Sequence, residues 1–195
     1  MKIEPVTLEG AFVRLEPLSL ERHFVDLCAV GLDADLWRWT TNQIVTVQDL
    51  QTYLETALDE QTKGISLPFA TIEKSSNKVV GSTRFGSISV ENRRVEIGWT
   101  WIGKQWQRTA LNTEAKFLML QHAFETWKCL RVELKTDLLN LRSRAAIQRL
   151  GATEEGILRR HMITQTGRIR DTVYFSVLDD EWQQVKTNLE SKLKR

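Results

Sequence analysis

Long hydrophobic runs are missing from this chain: no apolar stretch approaches the roughly 20 residues that a membrane-spanning helix needs. The opening residues Met1 to Glu9 hold no apolar block of signal-peptide type, so no export leader is expected. Charge of one sign is also lacking. Against 27 Lys and Arg stand 25 Asp and Glu, a formal net charge of +2, and no block of like charges occurs. A nucleic-acid partner or membrane surface therefore finds no electrostatic footprint. Cysteine is scarce: Cys28 and Cys129 lie about a hundred residues apart, which gives neither a disulfide framework nor zinc-ligand spacing. They read as reduced, mostly buried thiols of a cytoplasmic protein. His23, His122 and His161 are scattered without ligand spacing, so no metal is expected. What is present, 42% apolar and 27% charged residues in a chain of 195, is ordinary for one soluble globular domain spanning 1–195.

Periodicity divides the chain. Val6 to Pro17 reads as a first strand or pair, and Ser19 as the cap of a helix carrying Phe24, Leu27 and Cys28. An irregular segment, Gly31 to Val45, precedes Thr46 and Asp49, a capping arrangement for a second helix that ends at Gly64. Leu67 to Glu73, Lys78 to Ser89 and Arg93 to Ile102 then form short strands broken by Ser75-Ser76-Asn77 and Glu91-Asn92, an antiparallel meander. A helical run from Thr113 to Lys128 leads to an alternating strand, Leu130 to Thr136. Strand, crossover helix and strand in this order place Leu130 to Thr136 parallel to Val95 to Ile102. Asn140 to Leu150 is a helix closed by Gly151; a hairpin, Gly156 to Thr164 and Ile169 to Leu178, turns at Thr166-Gly167. The tail Glu181 to Arg195 is amphipathic, with Lys192, Lys194 and Arg195 complementing the dipole of its helix end. The fold class is α+β with a mixed sheet.

Between the apolar strand Val95 to Ile102 and the long helix lies the turn Gln107-Arg108-Thr109-Ala110-Leu111-Asn112. A turn that opens a helix presents unpaired N–H groups at the positive end of the dipole, a ready site for phosphate or pyrophosphate. Further on, Asn140, Ser143 and Ala146 lead into Leu150-Gly151-Ala152. The first spacing resembles the (Gln/Arg)-x-x-Gly-x-(Gly/Ala) signature of the GNAT superfamily of acetyltransferases, and the second resembles its Asn-x-x-Ser-x-x-Ala…Leu-Gly pattern. Strings such as Val13 to Leu18, Val95 to Trp99, Asn112 to Lys116, Gly167 to Thr172 and Glu181-Trp182 resemble the branch that includes the ribosomal-protein alanine N-acetyltransferases. The resemblance implies a mostly antiparallel sheet of about seven strands flanked by helices, with a parallel strand pair splayed at a coenzyme site. Ala110 stands where the family usually has glycine.

The resemblance also implies roles. Acetyl-CoA would be the donor, its pyrophosphate on Gln107, Arg108, Thr109, Ala110, Leu111 and Asn112, with Lys104 as an additional charge. Its arm would lie along Thr100, Trp101 and Ile102, with Asn140 beside it. Glu96 is the candidate base for a primary amine, alternatively a solvated strand residue paired with Arg93 or Arg94. Free α-amines have a pKa of roughly 8, so a modest base suffices. Ser143 would support the leaving thiolate or simply cap its helix. Tyr174, in the final hairpin, is a second proton donor or a core residue with its hydroxyl at the rim. Trp37 and Trp39 wall an acceptor cleft or pack their loop on the first helix. The acceptor is a protein N-terminus or a small amine, and the enzyme a monomer or homodimer. The competing reading is a coenzyme-A-binding module, either regulatory or catalytically inactive, for which Ala110 is the sequence hint.

Overall fold

Local chemistry sets the first elements. Helix α1 (Leu20–Gly31) starts where the Ser19 side chain accepts from the Arg22 N–H, and α2 (Val47–Thr62) where Thr46 and Asp49 form a reciprocal capping box. Gly64, at φ 72°, reverses the chain after α2. Strands β1 (Leu8–Glu9), β2 (Val13–Pro17), β3 (Leu67–Glu73), β4 (Lys78–Ser89), β5 (Arg94–Ile102), β6 (Arg131–Asp137), β7 (Thr153–Ile163) and β8 (Ile169–Leu178) form one sheet in the order 1-2-3-4-5-6-8-7. The computed structural model describes residues 1–194. Every neighbouring pair is antiparallel except β5 and β6, which are parallel. The sheet has one strand more than the expected seven because the first segment is a pair: β1 is only two residues long.

Helix α3 (Ala110–Gln121) begins earlier than the predicted Thr113, since Thr109 caps it by accepting from the Leu111 N–H. It ends earlier too, widening into a π-helical turn over His122–Thr126. Helix α4 (Leu141–Leu150) is capped by Asn140 and closed by Gly151 at φ 99°. Helix α5 (Trp182–Leu193) packs against α3; Arg195, read above as part of its basic end, lies outside the described residues. No helix among the described residues is long and apolar enough to cross a membrane. The core divides in two. One part joins β2–β6 and β8 to α3 and α5 around Met119, Leu120, Val132, Phe175 and Leu189. The other lies under α1 and α2 around Leu27, Leu50, Leu54, Trp37 and Trp101.

Two irregularities position the site. The parallel pairing of β5 with β6 covers only Arg94↔Arg131, Val95↔Val132 and Glu96↔Glu133, after which the strands diverge. On its other side β5 bulges against β4: the register jumps from Arg84↔Gly98 to Ser82↔Trp101. Trp99, inside the bulge, takes a left-handed φ of 49°, a strained conformation for a bulky residue. Packing holds it there. The Arg84 guanidinium lies 4.9 Å from the indole centroid, and a Cβ at Gly86 would meet the ring at 2.3 Å.

Candidate active site

The divergence of β5 and β6 opens a cleft of about 590 Å³, bounded by the α1–α2 loop, the start of α3 and one face of α4. Of the residues singled out from sequence, Trp37, Trp39, Glu96, Thr100, Trp101, Ile102, Gln107, Arg108, Thr109, Asn112, Asn140 and Ser143 all line it. Ala110, Leu111 and Tyr174 do not. Leu111 is buried in the core, and its N–H is already taken by Thr109 Oγ1. Ala110 faces a shallow depression beside Ala11, Phe12 and Lys74. Tyr174 lies edge-on to His161, with ring centroids 5.8 Å apart, where its strand meets β7.

One end of the cleft is built from the turn before α3. Arg108 adopts the left-handed region at φ 64°, whereas Ala110 is simply the first residue of the helix. The turn thus places its one left-handed residue two positions before the alanine, and a methyl at 110 needs no special backbone. Gln107 Nε2 donates to the Ile102 carbonyl at 2.9 Å, tying the turn to the end of β5. Asn112 Oδ1 is buried without a hydrogen-bond partner. Lys104 pairs with Asp35 at 2.9 Å, which engages the additional charge expected beside the turn. On α4, Asn140 Oδ1 accepts from the Ser143 N–H at 3.1 Å, so Asn140 is the cap and Ser143 Oγ has no part in capping.

At the centre, Glu96 is only 3% exposed. Its Oε2 is held by Lys135 Nζ at 2.9 Å and by Ser87 Oγ at 3.2 Å. The partner is therefore Lys135 and not the neighbouring arginines: Arg94 pairs with Glu133, and Arg93 donates to the Lys128 carbonyl. Oε1 lies against Gly98, where a Cβ would approach to 2.9 Å, and it accepts no hydrogen bond from the described residues. Trp37 is structural: its Nε1 donates to the Gly31 carbonyl at 2.7 Å, and its ring meets Tyr53 edge-on. Trp39 is half-buried between the Arg38 and Arg168 guanidinium groups, at 4.9 and 5.4 Å. The β7–β8 turn closes over this end, with Gln165 N–H donating to the Thr41 carbonyl and Gln165 Oε1 accepting from Gln43 N–H.

Several residues of the site were not found from the sequence: Lys116, Lys135 and Arg170 all line the cleft. Lys116, 5% exposed on α3, donates to Thr83 Oγ1 at 2.7 Å and Thr100 Oγ1 at 2.5 Å. A lysine on the same helical face as Met119 and Leu120 was the available signal. Burial pulls its pKa from the ordinary lysine range down to about 7. Above about pH 7 the folded protein therefore releases this proton while the unfolded chain still holds it, so stability should rise with pH towards the ordinary lysine range. Urea melts of the parent and Lys116→Met on both sides of neutrality measure this. The parent should gain on the variant as pH rises; a constant difference would mean that Lys116 stays charged in the fold.

The sequence profile of the acetyltransferase (GNAT) domain matches residues 13–153. The chain belongs to the GNAT acetyltransferase family. A GCN5-related N-acetyltransferase from Brucella melitensis, known from its crystal structure, is 34% identical, covers 99% of this chain and 87% of its own, and superposes with a TM-score of 0.91. An uncharacterised N-acetyltransferase of Bacillus licheniformis, p20, is 26% identical over 80% of this chain and 87% of its own length. A Bacillus subtilis protein provisionally named a ribosomal N-acetyltransferase, YdaF, is 36% identical over 92 residues, and the chain spans about half (49%) of that relative's length. In this GNAT member the open β5–β6 fork, the bulge at Trp99 and the turn before α3 are the features that build the cleft.

Proposed function

We propose that this chain is a cytoplasmic N-acetyltransferase that moves the acetyl group of acetyl-CoA to a primary amine by direct attack. The observation that carries this reading is the β5–β6 fork with Glu96 Oε1 beside it, a carboxylate oxygen free of protein hydrogen bonds at the point where the strands part. The unpaired edge of β5 at Thr100 to Ile102 supplies backbone groups for the amide-rich arm of the donor, in the manner of an added strand. The first turn of α3, with Arg108 beside it, supplies N–H groups and positive charge for the pyrophosphate. Glu96 receives the proton of the attacking amine, directly or through water, and the Ser143 hydroxyl steadies the departing thiolate. The resemblance of the strings noted above, together with the name of the Bacillus subtilis relative, favours a protein N-terminus among the possible acceptors.

The geometry at Ala110 removes the hint behind a coenzyme-binding module without activity, because that residue requires no left-handed backbone. Thiol release from acetyl-CoA, measured with and without a panel of amines, tests the reading. Release should depend on the amine, and mass spectrometry should find no acetyl group on the protein alone. Coenzyme binding without amine-dependent release would overturn the activity, and an acetyl group held covalently at Ser143 would overturn direct transfer.

A further inference from the structure

Arg170 on β8 lines the acceptor end of the cleft, is 7% exposed, and has a buried Nε with no hydrogen-bond partner. Its nearest counter-charge among the described residues is Asp137, whose Oδ2 lies 3.9 Å from that Nε, beyond hydrogen-bond length. Asp137 is already engaged: Oδ2 accepts from Arg168 Nη2 at 2.5 Å and Oδ1 from the Leu139 N–H at 2.9 Å. Glu96 gives its Oε2 to Lys135. Three cations, Lys135, Arg168 and Arg170, thus face two carboxylates, and the cation left over is the one deepest in the cleft. Desolvation is the largest influence on Arg170, and it acts against the charged form; Glu96 acts on it from across the same space. Arginine does not shed its proton in response. A buried guanidinium short of partners is costly to keep, and an anion brought by a ligand offsets that cost.

We propose that Arg170 is a specificity residue that binds a carboxylate carried by the acceptor, so that the preferred substrate is a primary amine bearing a carboxylate group. The inference rests on the proposed amine acetylation and names its substrate class. The amine is held at Glu96 Oε1 and the carboxylate at Arg170, with Trp39 and the Gln165 turn covering the space beside them. Arginine suits the role because its fork matches both carboxylate oxygens at once. A free amino acid and a peptide whose first residues are acidic both present this chemistry.

Matched acceptors separate the two sources and test the site. Amino acids are compared with their carboxamides, and peptides beginning with an acidic residue with peptides carrying the amide in its place. The parent should favour the acid of one pair at least tenfold in kcat/KM, and the pair that shows this identifies the source. Arg170→Gln should collapse the preference towards unity, and Arg170→Lys should restore part of it. Equal use of acid and amide by the parent overturns the proposal, with no variant needed. So does an acid preference that survives Arg170→Gln, or a loss of coenzyme A affinity in that variant in place of a loss of acid preference. Calorimetry with N-acetylated amino acids and their amides reads the same site without turnover. Binding of the acid alone, lost in Arg170→Gln, with no thiol release for any amine, would sink the acetyltransferase reading and leave the anion site standing.

Discussion

Replacing Glu96 by Gln is expected to slow acetyl transfer about 100-fold near neutral pH, the low end of what a positioned base contributes. The reason lies in the division of labour between its two oxygens. Oε2 is fixed by Lys135 and Ser87, which orients the carboxylate, while Oε1 beside Gly98 is free to accept a proton. Glutamine preserves the shape and removes the basicity. An α-amine with a pKa of roughly 8 is mostly protonated at pH 7 and more so below it, so the deficit should be largest on the acidic side and shrink above pH 8 as free amine becomes abundant. The substitution also takes the ion-pair partner from the half-buried Lys135, which costs some stability on its own account. The comparison therefore runs kcat against pH at a temperature where melting curves show both proteins folded. Parallel profiles of equal height would assign the proton to water or another group and return Glu96 to an orienting role for Lys135.

The parts of this molecule that were legible in its sequence are those whose physics is local. Ser19 and the Thr46–Asp49 pair cap their helices within three residues, and Gly64 and Gly151 end helices through their own backbone freedom. The turn before α3 was visible for the same reason, as a hexapeptide opening on three polar residues between an apolar strand and a helix. Pairings created by strand register were not visible. Glu96 lies opposite Glu133 in the parallel pair, and Lys135 is two residues further along β6, on the same face of its strand. That step brings Lys135 to Glu96, while Arg94, one of the two partners expected from the sequence, is drawn to Glu133. Reading Lys135 from the alternation of its strand alone makes it a solvent-facing residue. Arg170 was hidden in the same way, inside a hairpin whose closure over Thr41 depends on a contact more than a hundred residues away. The tryptophans split along this line: Trp37 is fixed by the nearby Gly31 carbonyl, whereas Trp39 meets Arg168 only through the tertiary fold.

Glu114→Ala should lower stability strongly for a polar substitution, by about 3 kcal/mol. Glu114, on the buried face of α3, accepts three backbone N–H groups of the β1–β2 turn: Ala11 at 2.8 Å, Phe12 at 2.7 Å and Val13 at 2.7 Å. Bonds to a charged acceptor are worth about 1.5–3 kcal/mol each, and truncation leaves three donors that water reaches only in part. For a chain of this length the loss corresponds to a fall in Tm of roughly 6–12 °C. The turn is shaped around the carboxylate, since a Cβ on Gly10 would sit 2.3 Å from Glu114 Cδ. Gly10→Ala should therefore destabilise the parent strongly and the Glu114→Ala protein hardly at all, because the clashing group has gone. A double-mutant cycle by urea unfolding checks the pair. Additive costs would mean that the turn holds itself and that Glu114 merely rests on it. Strong coupling would make the carboxylate the clamp that ties the first strands to α3, four residues beyond the start of that helix.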